Sequence, residues 1–320
     1  VAAVRLLLTL ALFSLLGGCQ QETSLLRIGS NTWPGYEPMY VARELDLLEP
    51  ANIRLVEMPD ASAVMDGLRQ GVLEGGALTL DEALLLASEG MDLTIIMICD
   101  QSQGADAVVA KPGILSLAGL KGQRIAAETS ALGALMTTQL LQQAGLSRED
   151  VTIIPMNVNQ QLEAYLAGDV DAVVTFTPVL NDLQELGART LFTSADIPGQ
   201  IVDVMVVHSD LVNRHKGALI TLVRGFHQAW QQLQQQQPEA LRYANQRLGL
   251  DDISSAWEGI HIPSLTQNLA FLQPPEESQA APVQQTAMQL HRILNDQDLL
   301  ASGEYPPLHV TDAVVLGAMQ

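Results

Sequence analysis

Gly29-Ser30-Asn31-Thr32-Trp33-Pro34-Gly35-Tyr36-Glu37-Pro38 follows the short apolar run Leu25 to Ile28 and precedes a helical pattern. Pro34, Gly35 and Pro38 are turn formers, Trp33 and Tyr36 offer flat faces, and Asn31 and Glu37 offer acceptors. Open α/β sheets place ligands at such strand-to-helix switches. The stretch therefore predicts a βα fold and, within it, a ligand platform. Aromatics that only plug the end of a core are the alternative for the same residues.

The rest of the chain repeats the alternation of apolar run and amphipathic stretch, the pattern of βα units around a mainly parallel sheet. Strands are expected at Leu26 to Gly29, Ile53 to Val56, Leu93 to Ile98, Gln123 to Ala127, Val151 to Pro155 and Ala172 to Phe176. Helices are expected at Met39 to Leu45, Ala63 to Leu68, Leu132 to Ala144 and Gln161 to Leu166, with another opening at Thr79. Gly71 and the pair Gly75-Gly76 break the pattern ahead of Ala77-Leu78. Thr177-Pro178 has the form of a helix start, a hydroxyl cap followed by proline at the first helical position. From Ser209 onward the character is helical, and Phe226, Trp230 and Leu233 share a face of one helix whose glutamines, Gln231 to Gln237, form a solvated surface.

Composition narrows the function. The 320 residues are 48% hydrophobic and 16% charged, enough for a sizeable core in one large or two ordinary domains. A net charge of −20, from 36 acidic residues against 16 Lys plus Arg, leaves no basic stripe for phosphates, so nucleic acid is excluded as a partner. No Cys/His cluster with metal-ligand spacing and no phosphate loop is present, and neither metal nor cofactor is expected.

Arg5 precedes the apolar run Leu6 to Leu16, too short to span a bilayer and suited to a secretory signal. Leu16-Gly17-Gly18-Cys19 resembles the bacterial lipobox. Residues 1–18 are then a lipoprotein signal peptide and 19–24 a tether carrying lipid on Cys19, which anchors the chain to a membrane surface on the periplasmic or cell-surface side. A plain signal peptide with an incidental cysteine is the alternative. Cys99 is the second of two cysteines and is expected as a buried, inert thiol.

Several stretches carry a family resemblance. Trp33 to Leu45, Asp81-Glu82-Ala83, Leu117-Ala118-Gly119-Leu120-Lys121-Gly122 and Gly168-Asp169-Val170-Asp171-Ala172 look like the nitrate, sulfonate and thiamine-pyrimidine-precursor class of ABC-transporter solute-binding proteins. The resemblance implies a two-lobed periplasmic-binding-protein fold with a helical C-terminal extension. Lobe I would comprise residues 25–103 and 208–320, lobe II 111–200, and the hinge crossings 104–110 and 201–207. It implies a monomer that delivers a small molecule to an ABC permease at the inner membrane by hinge closure. Carried onto this chain, the binding loops fall on Asn31, Trp33 and Tyr36, on Thr79 and Asp81, on Ser130, Ala131 and Leu132, on Thr175, Phe176 and Thr177, and on Asp203.

Charge in those loops bears on the ligand. They contain Glu37, Asp81, Glu82, Asp106, Glu128 and Asp203 but no Lys, Arg or His; the lysines are Lys111, Lys121 and Lys216, and all six histidines come at His208 or later. Burying one unpaired carboxylate on cleft closure costs several kcal/mol. An amine or a donor-rich heterocycle offsets that, stacked on Trp33 or Tyr36 and paired with Asp81, Glu128 or Asp203. The helix start at Ser130 keeps a nitrate- or sulfonate-type anion open, because backbone donors and the helix dipole hold anions without a base. A sensor read by a membrane receptor uses the same closure. An enzyme is disfavoured: a Schiff base needs a cleft lysine, and the strand-end loops supply neither Lys nor His.

Overall fold

The computed structural model describes residues 25–49, 51–128 and 130–320; the expected signal peptide, tether and Cys19 lie outside the described residues. Two sheets divide the chain. The first contains β1 (Leu26–Ser30), β2 (Ile53–Glu57), β3 (Gly75–Thr79), β4 (Leu93–Ser102) and β10 (Val202–His208), with short β11 (Ile260–His261) and β12 (Leu308–Val310). Its order is β11-β4-β10-β3-β1-β2, and β12 pairs with β4. The second contains β5 (Asp106–Ala110), β6 (Arg124–Ala127), β7 (Thr152–Pro155), β8 (Ala172–Phe176) and β9 (Arg189–Thr193) in the order β7-β6-β8-β5-β9.

Helices cross between the parallel strands as the apolar periodicity requires. They are α1 (Glu37–Glu44), α2 (Ala61–Arg69) and α3 (Leu80–Ser88) in the first lobe, and α4 (Ala131–Ala144), α5 (Val158–Ala167) and α6 (Val179–Glu185) in the second. The C-terminal region adds α7 (Lys216–Gln234), α8 (Pro238–Leu248), α9 (Leu265–Leu272), α10 (Pro282–Asn295) and α11 (Ala313–Ala318) to the first lobe. Phe226 and Leu233 of α7 are buried, and Trp230 meets Trp257 edge-on at 5.3 Å between centroids. Cys99 is free and fully buried in β4.

Each sheet is parallel except for one strand inserted in its middle and, in the first sheet, the short edge strand β11, which runs antiparallel to β4. β10 runs antiparallel between β3 and β4, and β5 runs antiparallel between β8 and β9. The segments expected as crossings, 104–110 and 201–207, are therefore largely strands of one sheet each. Passage between sheets falls to residues 103–105 and 194–201. These are stapled together: the Ser102 and Ser194 hydroxyls lie 2.7 Å apart, and Gly104 N donates to Ser194 Oγ at 2.6 Å.

Three local expectations are corrected. Gly75 and Gly76 do not break a pattern but begin β3, because strands and helix press on them from both sides. A Cβ on Gly75 would stand 2.7 Å from Val206 O, and one on Gly76 2.8 Å from Val64 Cγ1. β4 runs on through Cys99 to Ser102 despite its polar end, because β10 and β11 pair along that end. Thr177 does not cap α6; Pro178 holds the cap position and the Thr177 hydroxyl donates to Asn181 Oδ1 at 3.3 Å.

Candidate functional site

Register brings the polar ends together. Asp203, near the start of antiparallel β10, pairs with Thr79 at the end of β3 on one side and with Asp100 of β4 on the other. Asp106, which opens β5, pairs with Phe176 at the end of β8. The inserted strands thus carry one acid of each lobe to the ends where β1, β3, β6 and β8 release their loops.

One cavity between the lobes is lined by Asn31, Trp33, Tyr36, Ala61, Thr79, Glu82 and Asp203 from the first and by Asp106, Glu128, Leu132 and Phe176 from the second. Its volume is ≈ 20 Å³, room for about one water. Anything larger enters only if the lobes part or the rings swing. Contacts between the lobes include Trp33 meeting Phe176 edge to face, Asn157 Nδ2 donating to Asp60 Oδ2 at 2.8 Å, and Thr138 Oγ1 donating to Gln297 Oε1 at 3.5 Å.

The aromatic platform is fixed from below. Trp33 Nε1 donates to Asp100 Oδ2 at 3.0 Å, and the Tyr36 hydroxyl donates to Asp203 Oδ1. Burial, reinforced by the neighbouring Asp203 carboxylate, raises the Tyr36 phenol well above its ordinary value. Asp203 is itself raised, first by burial and then by the charge of Asp100. Both rings commit their polar tips to these acids and offer the ligand only their faces.

A second tier of acids is less satisfied. Thr79 N donates to Glu82 Oε2 at 3.1 Å, but Glu82 Oε1, Asp106 Oδ2 and Thr79 Oγ1 are buried without a hydrogen-bond partner. Burial pushes Asp106 up to about 7 and Glu128 up to about 7, with Asp60 adding repulsion at Glu128. Glu82 is raised by burial and by Asp81 beside it. Among the described residues the cavity wall carries four carboxyl groups and no Lys, Arg or His.

Of the residues expected at the site, Asn31, Trp33, Tyr36, Thr79, Glu128, Leu132, Phe176 and Asp203 meet in this cavity. Thr175 lines a smaller neighbouring space with Asp106, Glu128 and Phe176. Ser130 accepts from Gly133 N at 3.2 Å as the cap of α4 and borders a separate groove. Ala131 and Thr177 are buried and absent from the wall. Asp81 is also absent from it: fully buried, it acts on the neighbouring Glu82 and Asp106 through its charge, and Glu82 lines the wall in its place. Sequence reasoning missed Glu82, Asp106 and Ala61 as wall residues. The acids were visible there as loop charges, but which of two adjacent acids faces inward depends on packing.

A two-lobed α/β protein with a polar cavity between its sheets has the architecture of the periplasmic binding proteins. Residues 33–240 match the NMT1/THI5-like family, and the chain belongs to that family. The taurine-binding periplasmic protein of Escherichia coli is 21% identical over 74% of this chain and 75% of its own length. The alkanesulfonate-binding protein SsuA of Xanthomonas axonopodis superposes with a TM-score of 0.74 at 19% identity, covering 90% of this chain and 98% of that one. The same fold is shared by the desulfurization enzyme DSZB, with a TM-score of 0.62 at 16% identity and coverage of 92% and 98%.

Proposed function

We propose that this chain is the solute-binding component of an ABC importer, working on the outer side of the inner membrane. It captures a small cationic or donor-rich molecule between its lobes and presents the closed form to the permease. The family and the relatives' roles support the transport reading. One observation carries the ligand class: Glu82 Oε1 and Asp106 Oδ2, one from each lobe, are buried and unpartnered on a wall that, among the described residues, has no Lys, Arg or His. An ammonium or amidine placed there satisfies both oxygens and offsets a desolvation penalty of several kcal/mol. A cation over the Trp33 or Tyr36 face adds about 0.5–2 kcal/mol. Catalysis is not part of this reading: among the described residues the wall has no Lys or His to serve as nucleophile, and the raised carboxyls serve as partners of the ligand.

The names of the relatives favour a second reading, a sulfonate-type anion. Protonated carboxyls donate hydrogen bonds, and the capped start of α4 at Ser130 adds backbone donors. The two readings separate by pH. Cation binding tightens as the acids ionise, and anion binding tightens as they protonate.

The test is a thermal-shift panel on the chain from residue 25 onward, with alkylamines, pyrimidines, nitrate and alkylsulfonates. A ligand at about 100 times its dissociation constant adds roughly 2.7 kcal/mol of stability. Amines or donor-rich rings should raise the melting temperature; a rise with sulfonates alone refutes the cation reading. Lipid attachment at Cys19 belongs to the same proposal. Cys19→Ser should move the protein from the membrane fraction to the soluble one, and an unchanged distribution removes the anchor.

A further inference from the structure

The loop that presents Trp33 and Tyr36 is held on its cleft side by Asp100 and Asp203, and its outer side is held as well. Arg247 of α8 reaches Glu37, the residue after Tyr36, through a bond from Nη1 to Oε1. The guanidinium lies over the Tyr40 ring, 3.6 Å from its centroid, and its Nη2 is 3.3 Å from Glu57 Oε1. Tyr40 in turn shares a hydrogen bond of 2.7 Å with Ser30, the neighbour of Asn31. Ten residues after Arg247, Trp257 Nε1 donates to Pro34 O at 2.9 Å. The C-terminal region thus grips Pro34 and Glu37, the two ends of the turn that carries Tyr36.

The chemistry makes this more than packing. Glu37 is fully buried, its Oε2 has no partner, and burial pushes its carboxyl up to about 8 while Arg247 pulls it down. A buried carboxyl in the first turn of a helix, directly behind a ligand loop, is tolerated because the cation across the interface fixes it. Removing the cation frees the helix start to move, and Tyr36 is one bond away. Both gripping residues lie beyond residue 240, outside the stretch that matches the family.

We infer that Arg247 and Trp257 are positioning residues that set the orientation of the Trp33–Tyr36 platform from outside the cleft. The inference rests on those two rings being ligand contacts, but the experiment reads the platform itself and needs no ligand. The protein has three tryptophans, Trp33, Trp230 and Trp257, so 5-fluorotryptophan labelling yields three fluorine resonances, assignable by single Trp→Phe variants. Spectra are taken well below each variant's melting temperature. Arg247→Met should shift the Trp33 resonance, Arg247→Lys should leave it near its native position, and Trp257→Phe, which removes the donor to Pro34 while keeping a ring beside Trp230, should shift it too. Leu294→Ala, a buried change in α10 away from the loop, serves as the stability control and should leave Trp33 in place. If Arg247→Met does not fold, Trp257→Phe decides. A Trp33 resonance unmoved by Arg247→Met and Trp257→Phe, or moved equally by Leu294→Ala, overturns the inference.

Discussion

Trp33 of the first lobe and Phe176 of the second stand edge to face, with ring centroids 5.3 Å apart and planes at 84°, and this contact roofs the cavity. Such a pair contributes about 0.5–1.5 kcal/mol beyond its buried area. The Asn157 to Asp60 and Thr138 to Gln297 bonds also join the lobes, and losing the ring contact removes one of these few links and shifts the hinge equilibrium toward open forms. Phe176→Ala should therefore enlarge the radius of gyration of the ligand-free protein in small-angle scattering. An unchanged radius rejects this role for the pair.

Stability should run against the usual acid trend. Asp106 and Glu128 are raised to about 7, whereas unfolded carboxylates titrate near about 4. Between roughly pH 4 and pH 7 the folded chain holds more protons than the unfolded one, so stability falls as pH rises through that window, by up to about 1.4 kcal/mol per pH unit for each proton held. The lowered acids, Asp150 and Asp171 at about 2, act below that window and in the opposite sense. The melting temperature of ligand-free protein should be higher at pH 5 than at pH 8. A higher value at pH 8 contradicts the picture of a crowded, unneutralised set of acids.

Adjacent Asp81 and Glu82 should behave differently on substitution. Glu82 lines the cavity with a free oxygen, and Asp81 is buried outside the wall. Glu82→Gln and Asp106→Asn should each weaken amine binding by about tenfold or more, since losing one charge-assisted hydrogen bond is worth about 1.5–3 kcal/mol. Asp81→Asn should leave affinity nearly unchanged. Calorimetric titration with the best amine of the thermal-shift panel measures all three, and equal losses for Asp81 and Glu82 reject the assignment.

That pair also marks where the sequence stops being informative. The βα alternation, the Trp33 to Glu37 platform and the acids without a base were legible because each is a local pattern. Three features were not, because partners remote in sequence decide them: Asp106 and Asp203 lying opposite each other's lobes, β4 running on through Asp100 and Ser102, and Arg247 reaching back to Glu37. Gly75-Gly76 makes the same point. The pair read as a breaker, yet tight packing on Val206 puts it inside a strand. Gly75→Ala should cost about 1–3 kcal/mol in urea denaturation through overpacking. A neutral result means that β10 yields more easily than its backbone contact implies.

The central claim is that a positive charge, not an anion, belongs between Glu82 and Asp106. Ethanesulfonate and 2-aminoethanesulfonate share the sulfonate and differ by one ammonium group. Isothermal titration of both at pH 8, with ethylamine as the sulfonate-free third member, measures the contribution of that charge directly. Binding of the two amine-bearing compounds with none by ethanesulfonate is the predicted result; ethanesulfonate binding as tightly as its amino derivative, with ethylamine inert, contradicts the account.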